Sequence, residues 1–187
     1  MGAGAGRGGD PLRELLLFRH AKSRHDEPGV EDHDRDLAPR GIRAARAMGA
    51  WLRSEGILPD RVLCSTAVRA RRTLALAFAE LAELPEIRYL RSLYLASPGR
   101  MLDILRRQEG DVHRLMLVGH NPGLHGLALR LVAEADPERG RLEAKFPTAA
   151  LARIGLPIED WREIAIHGGR LLDYRTPAML AREPPSP

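Results

Sequence analysis

Cysteine is nearly absent from this chain, which has only Cys64 among its 187 residues. An internal disulfide is therefore impossible, and a reducing cytoplasm is the compartment in which such chains are usually found. Cys64 lies at the end of an apolar segment, where a small buried hydrophobe is a simpler interpretation than a reactive thiol. We therefore expect a cytoplasmic protein.

The sequence also lacks a long apolar segment and a metal-binding pattern. No segment approaches the roughly 20 apolar residues that a membrane-spanning helix requires, and no cleavable signal pattern opens the chain. The seven histidines do not form the short pairs or triads with cysteine or carboxylate that are typical of zinc sites. We expect no membrane association, no metal and no cofactor.

Lysine and aromatic residues are scarce as well. The formal net charge is +4, yet Lys22 and Lys145 are the only lysines, and aromatic residues make up 4% of the chain. The arginines are interspersed with acids, and no set of aromatic side chains is available on which bases could stack. We expect no nucleic-acid partner, and an electropositive cleft that attracts phosphorylated substrates would account for the same charges.

Strand and helix patterns alternate along the chain. We predict strands at 12–18, 61–65, 87–90 and 115–118, and helices at 39–54, 67–84, 98–108 and 123–133. Such alternation predicts a parallel sheet that is covered by helices on both faces. Two closing strands, 149–154 and 161–166, are predicted to pair antiparallel through Gly155-Leu156-Pro157.

The composition predicts one domain. With 44% hydrophobic and 29% charged residues, the chain can bury one sizeable core. We predict an α/β fold with three layers and a mostly parallel central sheet over residues 12–180. Residues 1–11, rich in glycine, and 181–187, rich in proline, are predicted to be a flexible leader and tail.

Two histidines directly follow predicted strands. His20 comes after the apolar segment 15–18 with Arg19 beside it, and His120 follows the strand at 115–118. Ligands of α/β proteins bind where parallel strands end, and an imidazole beside a fixed cation can attack phosphorus there. By itself an Arg-His pair is also found in ordinary surface loops. Arg69, in the first turn of the helix predicted after 61–65, adds a credible anion site.

Taken together, these segments resemble the histidine phosphatase superfamily, and specifically its small SixA-like phosphohistidine phosphatase branch. The matching motifs are Arg19-His20-Ala21-Lys22-Ser23, Asp32-His33-Asp34-Arg35-Asp36-Leu37 before Arg40-Gly41, Cys64-Ser65-Thr66-Ala67-Val68-Arg69-Ala70 with Thr73, Val118-Gly119-His120-Asn121-Pro122, and Gly169-Arg170-Leu171-Leu172 with Thr176-Pro177. The resemblance covers roughly residues 12 to 180 and implies the phosphoglycerate mutase-like fold of that superfamily.

The resemblance also implies roles. His20 would attack phosphorus and carry the phosphoryl group, while Arg19, Arg69 and His120 would stabilise its oxygens. Four further residues could border the phosphate or the leaving group: Lys22, Ser23, Arg35 and Asn121. A capping or surface role remains open for Ser23 and Arg35, and Asn121 could orient His120 or cap the helix that begins near Pro122. The matching motifs give no role to four other histidines, which are interpreted as loop or packing residues: His25, His113, His125 and His167.

The chain departs from the superfamily in two places. Ala21 follows the predicted nucleophile where glycine is commonest, and the stretch 90–95 lacks the carboxylic acid that larger relatives use to protonate an ester oxygen. Losing such a proton donor costs on the order of 10²-fold or more with an alkoxide leaving group. The imidazole of phosphohistidine can instead take its proton from solvent. Asp26, Glu27 or Asp103 could still supply the acid.

Three functions remain open from the sequence. The first is hydrolysis of phosphohistidine on a protein, such as a histidine-containing phosphotransfer domain. The second is hydrolysis of a small phosphomonoester on the same scaffold. The third is a module that binds a phosphorylated ligand without catalysis. The identity of the leaving group distinguishes the first two functions, and labelling of His20 distinguishes both from the third.

Overall fold

Six strands form one mixed sheet at the centre of the protein. The computed structural model describes residues 13–25 and 28–182. The strands are β1 (Arg13–Arg19), β2 (Arg61–Ser65), β3 (Glu86–Leu90), β4 (Arg114–Gly119), β5 (Leu151–Leu156) and β6 (Arg170–Arg175), and their order across the sheet is β3-β2-β4-β1-β5-β6. The first four in that order are parallel, whereas β5 and β6 pair antiparallel. The predicted α/β class is confirmed.

Helices cover both faces of the sheet. They are α1 (Pro39–Ser54), α2 (Val68–Ala77), α3 (Pro98–Arg106), α4 (Gly123–Leu131), α5 (Arg139–Ala144) and α6 (Pro177–Leu180). Successive strand side chains point to opposite faces, so Leu16 and Phe18 join the apolar cluster under α1 and α2, whereas Leu15 and Leu17 join the cluster under α3 and α4. This gives the three predicted layers. In residues 13–25 and 28–182, no helix is long and apolar enough to cross a membrane.

The ends of α1 follow from its sequence. Pro39 at the first helical turn has a φ already suited to a helix, and Gly56 just beyond the end adopts φ 64°. Between them Ala45, Met48 and Leu52 recur at helical spacing and are fully buried. The helix therefore spans the predicted residues 39–54.

The predicted helix 67–84 is shorter in the structure. It ends at Ala77, and Phe78 is the last residue at this end with a buried side chain before the chain turns. Leu81 still packs against the core, but Leu84 is 62% exposed and adds no buried contact that would hold a further turn against the sheet. Packing rather than helix propensity ends α2.

The prediction of a strand at 161–166 is wrong. Gly155 and Leu156 lie within β5, and residues Trp161–Glu163 form a 3₁₀ turn that Asp160 caps. Trp161 is buried and its indole Nε1 donates to the carbonyl of Val112 at 2.9 Å. The antiparallel partner of β5 is β6. Residues 1–11 and 183–187 of the predicted leader and tail lie outside the described residues.

Candidate active site

The parallel strands β1, β4 and β2 end at one edge of the sheet and bring three polar side chains together. Arg19 pairs with Gly119 in the β1–β4 register, and the His20 amide donates to the Gly119 carbonyl at 3.1 Å. The rings of His20 and His120 therefore lie side by side, with 5.0 Å between their centroids. Ser65, at the end of β2, bonds through Oγ to Nε2 of His120 at 2.8 Å.

A cavity of about 290 Å³ opens at this edge of the sheet. All eight residues that the sequence singled out line it: Arg19, His20, Lys22, Ser23, Arg35, Arg69, His120 and Asn121. Four more residues line the cavity that the sequence does not predict to have a site role: His25, Asp32, Leu95 and Thr148. The roles of the eight remain predictions, but the structure brings them to one place.

His20 presents one particular ring nitrogen for reaction. Its Nδ1 lies 2.8 Å from the carbonyl oxygen of Ala21. Because a carbonyl can only accept, Nδ1 carries the proton and Nε2 keeps a free lone pair. The Ala21 amide in turn donates to Thr73 Oγ1 at 2.9 Å, and that hydroxyl donates to the Arg69 carbonyl at 2.6 Å. This chain of bonds ties the segment after β1 to α2.

Both histidines are uncharged near pH 7. Burial lowers the pKa of His20 to about 4, and the positive charges of Arg69, Arg19 and Arg35 contribute. Burial likewise lowers the pKa of His120 to about 3, with added repulsion from His20 and Arg69. A neutral imidazole is the nucleophilic form, so His20 is ready to react without first losing a proton.

Asp32 holds the buried guanidinium of Arg69 in place. Arg69 is 3% exposed, and its Nη2 donates to Asp32 Oδ2 at 2.9 Å while Nη1 donates to the Asp32 backbone carbonyl. Tyr94 donates its hydroxyl to the same Oδ2 at 2.6 Å, and Arg35 pairs with Oδ1. The Tyr94 hydrogen bond and the two arginines hold the pKa of Asp32 well below its usual range. Asp32 therefore stays ionised.

Arg19 and Asn121 share one anchor. Arg19 Nη1 and Asn121 Nδ2 each donate to the carbonyl of Phe146 at 2.8 Å. Asn121 thus bonds neither to His120 nor to the N-terminus of α4, which begins at Gly123 without a side-chain cap. The hydrogen bond to Phe146 therefore takes the place of both contacts that the sequence suggested for Asn121.

Several buried polar atoms around the cavity have no hydrogen-bond partner among the described residues. They are Arg19 Nε, Arg35 Nε, His120 Nδ1 and Asn121 Oδ1. Buried polar groups are normally satisfied, so a group of them at one place indicates a site prepared for function rather than for stability alone.

Two histidines for which the sequence predicts no role lie near the cavity. His25 is within 2.7 Å of both Lys22 Nζ and Arg35 Nη1. His33 reaches Thr66 Oγ1 at 3.0 Å, and its ring lies edge-on to Tyr94. The interpretation of His25 as a loop or packing residue is therefore incomplete, and only its position in the Lys22 segment could have pointed to the cavity.

The candidate proton donors have different positions. Asp26 and Glu27 lie outside the described residues, and Asp103 lies in α3 and is not among the residues that line the cavity. Leu95, from the stretch that lacks an acid, lines the cavity; it is 57% exposed and has φ 49°. Its neighbour Tyr94 lies behind the cavity wall, where it contacts Asp32 and His120. Cys64 is fully buried and burial raises its pKa to about 12, which confirms a packing role.

Comparisons with known proteins agree with this geometry. A family model described as the histidine phosphatase superfamily (branch 1) matches residues 15–93. An uncharacterized protein of Mycobacterium tuberculosis is 38% identical over 163 residues, which cover 86% of this chain and 99% of that protein.

Solved structures are also similar. A candidate phosphohistidine phosphatase SixA from Nakamurella multipartitia is 32% identical with a TM-score of 0.77, and the match covers 90% of this chain and 99% of that one. A second, from Agrobacterium tumefaciens, is 28% identical with a TM-score of 0.75 over 88% of this chain and 97% of that one. The chain therefore belongs to the histidine phosphatase superfamily, resembles its SixA members, and is a phosphatase.

Proposed function

We propose that this phosphatase uses His20 as its nucleophile and that its substrate is phosphohistidine on a protein, such as a histidine-containing phosphotransfer domain. The similar structures from Nakamurella multipartitia and Agrobacterium tumefaciens are both candidate phosphohistidine phosphatases, which supports this substrate class. The free Nε2 lone pair of His20 at the base of a cationic cavity supports the nucleophile.

The proposed reaction has two displacements. Nε2 of His20 forms a bond to phosphorus while the bond to the substrate nitrogen breaks, and the departing imidazole takes a proton from solvent. Water then forms the new P–O bond, the bond to His20 breaks, and phosphate leaves. Splitting the reaction in this way replaces one difficult step by two easier ones.

The surrounding residues would stabilise the charge that builds up on the phosphoryl oxygens. Arg19 and Arg69 carry planar guanidinium groups that can each bind two oxygens, and His120 completes the set. Lys22, Ser23, Arg35 and Asn121 line the same cavity and would border the phosphate or the leaving group. This assignment leaves no step that requires a metal or an organic cofactor.

The ionised state of Asp32 is the observation that most strongly supports phosphohistidine as the substrate class. Asp32 is the only carboxylate among the described residues that line the cavity, and its depressed pKa keeps it ionised. An ionised carboxylate cannot protonate an alkoxide leaving group, whereas phosphohistidine does not need such a donor. The site therefore favours a phosphoramidate over a sugar phosphate.

Phosphate release tests the proposal. Wild type and His20→Ala are compared on a phosphohistidine protein and on a panel of phosphomonoesters, with His113→Ala, an exposed histidine remote from the cavity, as the control. We expect rapid turnover of phosphohistidine that His20→Ala abolishes and His113→Ala preserves, together with slow ester cleavage. Faster turnover of one small ester would establish the phosphomonoesterase, and no His20-dependent release from anything would leave a binding module.

Asp26 and Glu27 provide a second test of the substrate class. If either carboxyl group acts as the missing acid, ester hydrolysis should show a bell-shaped pH profile that Asp26→Asn or Glu27→Gln abolishes. We expect neither substitution to change the pH profile. If one variant lost the fall in rate at high pH, which reports the general acid, the preference for phosphohistidine would be overturned.

A further inference from the structure

A second cavity, of about 370 Å³, adjoins the catalytic cavity. Lys22 and Thr148 line both, so the two spaces are neighbours on either side of these residues. The second cavity extends over the N-terminal part of α1 and the start of α6, where Arg40, Ala44 and Pro177 line it. The proposed reaction uses none of these three residues.

The charged side chains that line this second cavity are positive. Among the residues that the structure describes, Lys22 and Arg40 are the ionisable ones that line it, and none of the acids does. Arg40 is exposed and has no ion-pair partner in the part of the chain that the structure describes. Arg40 and Lys22 together give this cavity an excess of positive charge beside the catalytic cavity, and such a surface complements a ligand of opposite charge.

The position of Arg40 relative to the nucleophile is fixed. The amide of Ala38 donates to the Lys22 carbonyl at 2.9 Å, and a Cβ added at Gly41 would lie 2.2 Å from that same oxygen. The first turn of α1 therefore packs directly on the segment that follows His20. A substrate bound with its phosphoryl group at His20 would place neighbouring atoms over a preformed basic cavity.

We propose that the second cavity binds an acidic side chain of the phosphoprotein, close to its phosphohistidine. The proposal rests on the proposed function and names a feature of its substrate. Lys22 and Arg40 would meet the carboxylate, while Ala44 and Pro177 offer apolar surface for its methylene groups. A small phosphoramidate fills only the catalytic cavity, so the contact distinguishes a protein substrate from a small one.

Synthetic phosphohistidine peptides test this contact. One glutamate is moved through the three positions on each side of the phosphohistidine, and each peptide is compared with its glutamine counterpart. Phosphoramidate serves as the reference substrate that cannot reach the second cavity. At one or more positions we expect the glutamate peptide to show about fivefold higher kcat/KM, a preference that added salt reduces.

A matched pair of variants assigns the preference to this cavity. Arg40→Gln should reduce it to below about twofold, and Arg43→Gln, which removes an exposed charge from the next turn of α1 outside the cavity, should leave it unchanged. Both variants should hydrolyse phosphoramidate at the wild-type rate. Equal loss on phosphoramidate and on all peptides in Arg40→Gln would contradict the assignment.

The remaining outcomes separate this inference from the proposed function. If wild type hydrolyses phosphoramidate but turns over every glutamate and glutamine peptide equally, the acidic subsite is wrong and the phosphohistidine phosphatase stands. If phosphoramidate and all peptides resist hydrolysis while an ester is cleaved, the proposed function is wrong and the subsite is lost with it.

Discussion

Arg69 shows how much of the site depends on the geometry of one side chain. Its two terminal nitrogens donate to different oxygens of Asp32, one in the backbone and one in the side chain, and it is almost completely buried. A lysine at this position would keep the charge but offers a single nitrogen without the planar arrangement. It could not hold Asp32 and also bind two phosphoryl oxygens.

We predict that Arg69→Lys lowers kcat/KM by about 10²-fold while the protein remains folded. Steady-state phosphate release gives the rate, and circular dichroism checks the fold. Arg72→Lys is the matched control, because Arg72 is exposed on the same helix and pairs with Asp36 at 2.8 Å. Undiminished turnover in Arg69→Lys would remove Arg69 from the phosphate site.

Substitution of Asp32 distinguishes two possible roles of its carboxyl group, which are to hold Arg69 and Arg35 in position and to act as a general acid. If Asp32 only holds Arg69 and Arg35, Asp32→Asn should slow p-nitrophenyl phosphate and an alkyl phosphate by the same factor, about tenfold. A general acid would matter far more for the alkyl ester, whose leaving group is much more basic. The measurement is kcat/KM for the two esters in wild type and in Asp32→Asn. A much larger decrease in kcat/KM for the alkyl ester would contradict an ionised Asp32.

At the scale of the element, the contact between α1 and the segment after β1 determines where the nucleophile lies. Gly41 is buried, and any side chain there would meet the Lys22 backbone oxygen at 2.2 Å. Backbone on both sides leaves no flexible group to move aside, so relief requires a shift of the helix or of the catalytic segment.

We predict that Gly41→Ala lowers the free energy of unfolding by about 2 kcal/mol and also lowers kcat. Urea unfolding and phosphate release measure the two effects. Gly140→Ala is the control, since a Cβ at Gly140 in α5 would have no neighbour within 4 Å. That variant should keep full activity and gain up to about 1 kcal/mol from helix propensity. A neutral Gly41→Ala would show that the α1 contact is dispensable.

Elements with strong local signals were predictable from the sequence. Proline at the start and glycine after the end define α1, and the buried apolar segment of β2 spans the predicted residues 61–65. The predicted strand at 161–166 failed because Trp161 and Ile164 are buried three residues apart, a spacing that fits a 3₁₀ turn rather than a strand. Helix α5 was missed because it buries only Leu142, which produces no periodic stripe.

The same distinction applies to the site. Residues that directly follow strands, such as His20 and His120, could be located because the strands of a parallel sheet end together. Asp32 lines the cavity and Tyr94 holds it from a separate loop; the two lie 62 residues apart in the chain although their side chains are hydrogen-bonded. No local pattern marks such a contact, since it arises only when the whole domain packs.

Across the whole molecule, the positive charge is concentrated where the proposed chemistry needs it. The formal net charge of +4 is small for the chain, yet one cavity is lined by Arg19, Lys22, Arg35 and Arg69, and by a single acid, Asp32, among the residues that the structure describes. This clustering raises the local concentration of phosphorylated ligands. Burial, with a further contribution from these positive charges, lowers the pKa of both His20 and His120, which links the site to the stability of the fold.

That link predicts how stability depends on pH. His20 and His120 have folded-state pKa values near 4 and 3, below the ordinary value of 6.5. The unfolded chain therefore takes up protons first as pH falls. The contribution of these two histidines to stability is constant above about pH 7 and declines from about pH 6.5 down to their folded pKa values, about 4 and about 3. Treated independently, each histidine accounts for about 2 kcal/mol of the loss at pH 5. Asp32, whose pKa is also depressed, loses its stabilising effect only below the ordinary value of 3.8 and contributes little in this window.

Urea unfolding at pH 7 and pH 5 measures the decline in the free energy of unfolding. The variant His20→Gln should reduce this decline by about 2 kcal/mol. The control is His113→Gln, at an exposed histidine outside the cavity, which should leave the decline unchanged. An identical decline in wild type and His20→Gln would contradict a neutral, buried His20 and with it the nucleophilic state proposed here.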